Sequence, residues 1–155
     1  MDNMLCWRFH VDAILRKLNS RMYCLRKLKS FNVRKEILSS FYNAVISSVL
    51  SYCIVCWGGN IPKQEKARLD KIIKKAGTVI GNTQRQVDLI YHDRLKNKLN
   101  HILTDNTHPL FQDLDDKRIT RSGRLRPPVT RTKRYANSFI PQAVSLFNAN
   151  FNRGN

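Results

Sequence analysis

Apolar residues recur at three- and four-residue steps in the first part of the chain, which is the spacing of one buried helix face. The first stripe lies within residues 11–28. Asp12, near its start, is placed to cap the helix or to stabilise its positive end. The pattern predicts an amphipathic helix whose apolar stripe comprises Val11, Ile14, Leu15, Leu18, Met22, Leu25 and Leu28.

A second apolar stretch follows a Ser-Phe-Asn break at residues 30–32. Asn32 is a candidate N-cap, and Gly58 with Gly59 ends the predicted helix. Because the link is short, the two helices are expected to pack as an antiparallel αα-hairpin. The broad apolar face of the second helix comprises Ile37, Leu38, Phe41, Tyr42, Val45, Ile46, Val49, Leu50, Cys53 and Ile54.

Two further helices are predicted before residue 109. Pro62 suits the first turn of the third helix, and the Gly-Asn-Thr sequence at residues 81–83 ends it. The fourth begins near Val87 and stops at residues 105–109, which include Pro109. Their apolar positions are Ala67, Leu69, Ile72, Ile73, Ala76, Val79 and Ile80, then Val87, Leu89, Ile90, Leu95, Leu99, Ile102 and Leu103.

The chain changes character after Pro109. A short acidic stretch precedes residues 117–134, which are rich in Lys and Arg, contain no acidic residue and lack a sustained apolar period. A last short helix is expected near Pro141. The sequence thus predicts an all-α protein: a helical hairpin plus two further helices at residues 1–109, a basic irregular arm or linker at 110–137, and a short terminal helix and tail at 138–155.

The formal net charge of +17 on 155 residues is the strongest compositional signal. Such a chain repels itself without a polyanionic partner, so nucleic acid is the expected partner, with an anionic membrane second and a basic protein without a specific anion third. No acidic residue lies between Asp12 and Glu36. The candidate phosphate contacts are Arg16, Lys17, Arg21, Arg26, Lys27 and Lys29, supported by Lys71, Lys74, Lys75, Arg124 and Arg126.

Aromatic residues interleaved with cations can stack on nucleic-acid bases. The chain places several aromatic residues near the basic segments, although such residues more often serve as core or hinge anchors. They are Trp7, Phe9, Tyr23 and Phe31 around the first basic helix and Tyr135 after the arm.

Metal-binding and catalytic patterns are incomplete. Cys53 and Cys56 have the spacing of half a zinc site or a redox pair, but the histidines supply no matching second pair, so the two cysteines are predicted to pack in the core. His10 and Asp12 mimic the His-x-Asp start of an iron-binding facial triad, with a distal ligand among His92, His101 and His108. That triad is normally mounted on a β-sandwich, whereas this chain is predicted to be helical.

The acidic cluster of Asp113, Asp115 and Asp116 is expected to pair with the basic run that follows it. No Gly-x-Ser-x-Gly or P-loop pattern occurs. From the residues alone, we expect no bound metal, no cofactor and no enzymatic activity.

Neither a membrane span nor a signal peptide is expected. The most apolar run, residues 44–57, is interrupted by Ser47, Ser48 and Ser51 and has the length of a buried helix. The N-terminus lacks a basic start followed by an apolar block. We therefore expect an intracellular protein, cytoplasmic or nuclear, with no membrane partner and with its four cysteines reduced.

An ordered series of strings resembles the region downstream of the polymerase palm in non-LTR retrotransposon reverse transcriptases of the jockey, Rex and CR1 type. The strings lie at residues 21–32, 48–59 and 68–77, at the His-Pro-Leu of 108–110, and at 122–125 and 138–141. The resemblance implies a thumb-like fragment that holds template RNA and primer DNA, with RNA or an RNA–DNA hybrid as partner. It also implies contact with a palm domain or another protein.

The aromatic-x-Asp-Asp polymerase motif of that family is missing, since Asp115 and Asp116 follow Leu114. The resemblance therefore implies a non-catalytic fragment of an RNA-directed DNA polymerase, expected to be a truncated copy. Residues 13–32 also resemble the small N-terminal segment of AlkB-homologue tRNA-modifying enzymes, without an accompanying oxygenase or methyltransferase domain. A third possibility is a helical protein-interaction module that uses the apolar helix of residues 37–55.

Overall fold

A computed structural model of the protein describes residues 7–151, and throughout them the fold is helical. The only β-type pairing in that range is an isolated antiparallel bridge between Arg118 and Leu125. The predicted all-α class is confirmed. The helices are α1 (Arg8–Ser30), α2 (Lys35–Phe41), a π-helical segment (Tyr42–Ser47), α3 (Ser48–Ser51), α4 (Ile54–Trp57), α5 (Lys63–Ile80), α6 (Val87–Thr104), α7 (Phe111–Asp115), α8 (Lys133–Ala136) and α9 (Phe139–Phe151).

The chain divides into two units. The first comprises Met1–Ile54 and Ile61–Ile90, and the second comprises Val55–Asn60 and Tyr91–Asn155. The first unit contains α1, the apolar segment that follows it, and α5. The second contains most of α6 and everything after it.

Helix α1 is held by its apolar stripe, as the sequence predicts. Val11, Leu18 and Leu25 are fully buried, and Ile14, Leu15 and Met22 are nearly so. This stripe packs against α5, α2 and the π-helical segment. Burial of so many side chains stabilises a helix whose own charges repel one another, because each buried aliphatic side chain contributes roughly 1.5–3 kcal/mol.

Asn32 has a different role from the one predicted. Its φ is 55°, in the left-handed region, and its N–H donates to the carbonyl of Lys29. Asn is among the few residues that adopt this conformation readily, and it commonly ends helices there. Asn32 therefore terminates α1, and the residue before α2 is Arg34, which makes no side-chain cap. The N-cap prediction for Asn32 is wrong.

The predicted second helix is interrupted. Its buried residues are spaced four apart at Leu38, Tyr42, Ile46, Leu50 and Ile54. In an α-helix each four-residue step overshoots a full turn by about 40°, because a turn takes 3.6 residues. The π-helical segment, closed by i→i+5 hydrogen bonds, takes more residues per turn and offsets this drift.

The same stretch breaks at Tyr52 and Cys53, before the Gly58–Gly59 pair that was predicted to end it. Tyr52 is extended, with ψ at 119°, and Cys53 is left-handed, with φ at 47°. Gly58 to Asn60 then form a 3₁₀ turn. Gly59 is tightly placed, since a Cβ there would lie 2.2 Å from the Asn137 carbonyl oxygen within the second unit.

A stretch long and apolar enough to cross a bilayer is present, contrary to one premise of the sequence analysis, and the expectation of no membrane span stays a prediction. By length and composition, the 26-residue stretch Lys35–Asn60 is apolar enough to cross a bilayer, a test that buried core helices and N-terminal signal sequences also pass. Of its most apolar window, 28% is buried. The stretch therefore leaves apolar surface in the first unit, including Ile37, which is 47% exposed.

Helices α5 and α6 match their predicted positions. Helix α5 follows Pro62 and ends at Gly81, whose φ of 78° is the left-handed conformation that favours glycine. Helix α6 ends at Thr104. Asp105 then accepts hydrogen bonds from the N–H and hydroxyl of Thr107, which lower the pKa of its carboxyl group.

The predicted basic arm is more ordered than expected. Residues 117–126 form a turn in which Ile119 and Arg126 donate backbone N–H groups to Arg124 and Lys117. Leu125 is fully buried, and its backbone N–H and carbonyl both bond the side-chain amide of Asn148 on α9. This amide pairing ties the turn to the terminal helix.

Candidate nucleic-acid interface

The exposed surface of α1 presents five of the eleven cations predicted to contact phosphate. Arg16, Lys17, Arg26 and Lys29 are exposed, and none has an ion-pair partner among residues 7–151. Lys27 is also exposed and lies over the ring of Phe31, with its Nζ 5.3 Å from the ring centroid. Arg16, Lys17 and Lys27 point away from the buried stripe, while Arg26 flanks it and Lys29 lies past its last buried residue, because charged groups are costly to desolvate without partners.

Arg21 differs from the other α1 cations. It is half-buried, and its Nη1 donates a hydrogen bond of 3.0 Å to the carbonyl oxygen of Val45 in the π-helical segment. This contact fastens α1 to that segment. Arg21 therefore has a structural partner in the fold, and its predicted phosphate contact stays a prediction.

The first half of α5 carries charges that are paired within the fold. Arg68 contacts Asp12 of α1 at 2.8 Å and Glu65 at 2.6 Å, and these two hydrogen bonds raise the pKa of its guanidinium. Glu65 is buried within the first turn of α5, where a carboxylate also stabilises the helix dipole. Asp12 is the fifth residue of α1, beyond a first turn that has no acidic residue, so the prediction that it caps or stabilises the start of α1 is wrong.

The second half of α5 presents the other predicted cations of the first unit. Lys71, Lys74 and Lys75 are all exposed. Lys71 and Lys74 line a groove of about 820 Å³ between α5 and residues 81–86. The remaining polar side chains around this groove are Asp70, Thr78, Asn82, Thr83, Gln84 and Gln86.

Close approach of the chain after α5 shapes this groove. A Cβ at Gly77 would lie 2.6 Å from the carbonyl oxygen of Asn82, so only glycine fits there without a shift of the backbone. Asp70 Oδ1 accepts a 2.8 Å hydrogen bond from the N–H of Val87 and so fixes the start of α6. In the sequence, residues 81–83 signal only the end of a helix, and their contribution to the groove depends on this folding back.

Arg124 and Arg126 belong to the second unit. Both are exposed in the turn of residues 117–126, next to the buried Leu125. The structure thus groups nine of the predicted contacts in the first unit and these two in the second.

The aromatic residues near α1 are largely exposed. Phe9 and Phe31 are each 68% exposed, and Tyr23 is 67% exposed. The interpretation of these rings as core anchors is wrong for all three. Trp7 is half-buried and meets His10 edge to face, with ring centroids 5.6 Å apart.

The cysteine pair does not pack in the core. Cys53 and Cys56 are both exposed, as is Cys24. The break at Tyr52 rotates Cys53 out of the apolar face to which the sequence assigned it. The buried positions of that region are Ile54 and Trp57.

His10 and Asp12 lie two residues apart on α1, a spacing at which helical side chains do not face each other. Asp12 is engaged by Arg68. Burial, with the nearby charge of Lys17, lowers the pKa of His10. Among residues 7–151, no three His, Cys, Asp or Glu side chains are grouped as metal ligands.

The acidic cluster before the basic turn makes local contacts. Asp115 pairs with Arg118 at 3.4 Å, and Asp116 accepts a hydrogen bond from Gln112. The predicted pairing of this cluster with the basic run is confirmed for Asp115.

Comparison with known proteins gives one partial match. Residues 7–48 match the model of a family described as alkylated DNA repair protein alkB homolog 8, N-terminal. The matched part comprises α1, α2 and the π-helical segment, and it extends beyond the residues that carry the AlkB-like resemblance in the sequence. No curated protein and no solved structure matches the chain. This α1–α2 region is therefore similar to that N-terminal family.

Proposed function

We propose that the protein is a non-catalytic nucleic-acid-binding unit that contacts the phosphates of RNA or an RNA–DNA hybrid through its basic helices. The observation that carries the proposal is the exposed surface of α1, where Arg16, Lys17, Arg26 and Lys29 have no ion-pair partner among the described residues. Unpaired cations along one helix repel each other, and a polyanion removes that repulsion while releasing its own counterions.

Two further features support the proposal. The groove beside Lys71 and Lys74 offers hydroxyl and amide groups that suit phosphate and sugar oxygens. The family matched over residues 7–48 is named for an alkylated DNA repair protein. We further propose that the chain derives from the post-palm region of a non-LTR reverse transcriptase, on the strength of the ordered strings from residue 21 to residue 141.

Titration with fluorescent 20-nucleotide RNA and RNA–DNA hybrid at several salt concentrations tests the proposal. Each phosphate contact contributes about 0.7–0.9 to the slope of log affinity against log salt. Replacing Arg16, Lys17, Arg26 and Lys29 with Gln should lower that slope by about 3. A matched variant with Gln at the exposed Lys35, Lys63, Lys96 and Lys133 loses the same charge and should keep most of the salt slope.

Equal losses of slope in the two variants would mean that net charge alone attracts the nucleic acid. Binding without any salt dependence would contradict phosphate contact altogether. Far-UV circular dichroism of each variant checks that the helices remain folded.

A second candidate function is a protein-binding surface on the apolar residues 35–51. Its support is the exposure of Ile37 and the limited burial of the surrounding window. Sedimentation equilibrium should detect association that weakens in Ile37→Ser and persists in the control Leu89→Ser, which alters another exposed apolar residue. Binding of the chain to neutral lipid vesicles in place of protein would instead favour a membrane contact for this surface.

A further inference from the structure

Aromatic and cationic side chains alternate along the outward face of α1. Phe9, Arg16 and Tyr23 follow one another at seven-residue steps, and Lys27 and Phe31 continue at four-residue steps. Seven residues are nearly two turns, so these positions lie on one side of the helix. We call these five residues the aromatic–cationic stripe; it is about 33 Å long at 1.5 Å per residue.

Each member of the stripe is exposed, and the three rings each keep about two thirds of their surface in solvent. Large exposed apolar side chains need an explanation when they are aligned on one face. Lys27 is held over the ring of Phe31, so a cation and a ring already form one contact pair. The rings are therefore presented together with charge.

We propose that the aromatic–cationic stripe binds single-stranded nucleic acid, with unpaired bases stacked on Phe9, Tyr23 and Phe31 and phosphates paired with Arg16 and Lys27. This inference rests on the proposed nucleic-acid binding and adds the class of strand. Every base has a π face, so stacking on rings is tolerant of sequence, and interleaved cations follow the backbone.

A duplex cannot engage both the rings and the cations of the stripe. Its bases are already stacked on one another, so they are not available to stack on the rings. Unstacking them costs a few kcal/mol per step. A single strand presents its bases and its phosphates together. The stripe therefore favours a single strand over a duplex of the same phosphate count.

An anionic membrane fits the stripe less well. Helices that lie in a membrane interface bury a continuous apolar face, with the cations on the opposite side. The continuous apolar face of α1 is covered by α5, α2 and the π-helical segment. The rings of the stripe are separated from one another by one or more helical turns, with Arg16 and Lys27 between them.

The experiment compares three probes of equal phosphate number: a 20-nucleotide single strand, the same length of abasic single strand, and a duplex. Fluorescence anisotropy at fixed salt measures the affinity for each. The intact protein should bind the single strand about tenfold or more tightly than the abasic strand, because stacking contributes only when bases are present.

A pair of matched variants assigns the effect to the stripe. Tyr23→Leu with Phe31→Leu removes two rings and keeps every charge, and it should lower affinity for the single strand about tenfold while leaving the abasic strand unchanged. The control carries Tyr52→Leu, an exposed aromatic residue that is not a member of the stripe, and should match the unaltered protein.

Photocrosslinking to 4-thiouridine, mapped by mass spectrometry, should label residues of α1 including Tyr23. Salt-dependent binding that is equal for normal and abasic strands overturns this inference and leaves the proposed function intact. Absence of salt-dependent binding to any probe overturns both. Tighter binding to anionic vesicles than to the single strand overturns the choice of partner.

Discussion

The helices α1 and α5 are both long and basic and they pack on each other, yet their cationic side chains differ in whether they have acidic partners. Within the first half of α5, Arg68 has carboxylate partners on both helices, and Lys66 pairs with Asp88. On α1, no acidic residue follows Asp12. Lys66 and Arg68 of early α5 therefore pair within the fold, while the α1 cations, apart from the half-buried Arg21, are exposed. The number of basic residues on a helix does not distinguish these two roles, whereas the positions of the acidic residues do.

The largest expected effect concerns the buried apolar side chains that hold α1 in the fold. Leu18 is fully buried, so Leu18→Ala should lower the free energy of unfolding by about 2–5 kcal/mol. Lys17→Ala, at the exposed neighbouring position, should change it by less than about 0.5 kcal/mol. Urea denaturation followed by circular dichroism measures both. Similar losses for the two variants would mean that the outward cations of α1 also stabilise the fold.

The next prediction separates paired from unpaired cations. Arg16→Gln with Lys17→Gln should lower the salt slope of RNA binding by about 1.4–1.8, since two phosphate contacts are lost. Lys66→Gln with Arg68→Gln removes the same charge from side chains already paired in the fold and should leave the slope near its original value. If the α5 variant lost as much slope, the division between the two helices would fail.

A smaller effect is expected where α5 directs the start of α6. Asp70→Ala removes the acceptor for the N–H of Val87 and should cost about 1 kcal/mol, as loss of a helix cap does. Asp70→Asn keeps an oxygen acceptor and should recover most of that stability. Unfolding of the two variants in urea gives the comparison, and equal loss in both would point to the carboxylate charge as the source.

The smallest effect concerns His10, which is partly buried and lies near Lys17. Burial and then the Lys17 charge lower the pKa of His10 below its ordinary value of 6.5. As pH falls below 6.5, the unfolded chain binds a proton that the folded chain resists, so the free energy of unfolding decreases. The contribution of His10 to the free energy of unfolding is complete above pH 6.5 and is lost as the pH falls.

Urea midpoints between pH 7.5 and 5.5 test this prediction. His10→Gln should flatten the decrease, whereas His92→Gln, at an exposed position on α6, should not. A decrease that is unchanged in His10→Gln would assign the pH dependence to other groups.

The features that follow local rules could be predicted from the sequence. The six buried residues of α1 follow one helical period, and Gly81 ends α5 in the conformation expected of glycine. Asn32 suits two local rules, capping the next helix or ending the previous one, and periodicity does not choose between them. The apolar face of the second stretch is so broad that several registers satisfy it, so neither the break at Cys53 nor its exposure could be predicted.

For the candidate site, the sequence identified the cations but not their partners. Asp12 and Arg68 are far apart in the chain and meet only because α1 packs on α5. Arg21 looks like its neighbours in sequence, and only the fold gives it the Val45 carbonyl. The alignment of Phe9, Tyr23 and Phe31 does follow from their spacing, and it acquires meaning once the opposite face is known to be buried.

The π-helical segment at Tyr42–Ser47 also sets how this chain tolerates changes in length. Deleting one residue there would restore α-helical hydrogen bonding locally but turn every later position of the helix by about 100°. Leu50 would then leave the interior, and polar neighbours would enter it. Insertions and deletions in this stretch should therefore be far less tolerated than at residues 105–109, where the chain already turns between helices. In a deletion library, the yield of folded protein should be lowest for deletions at residues 42–47.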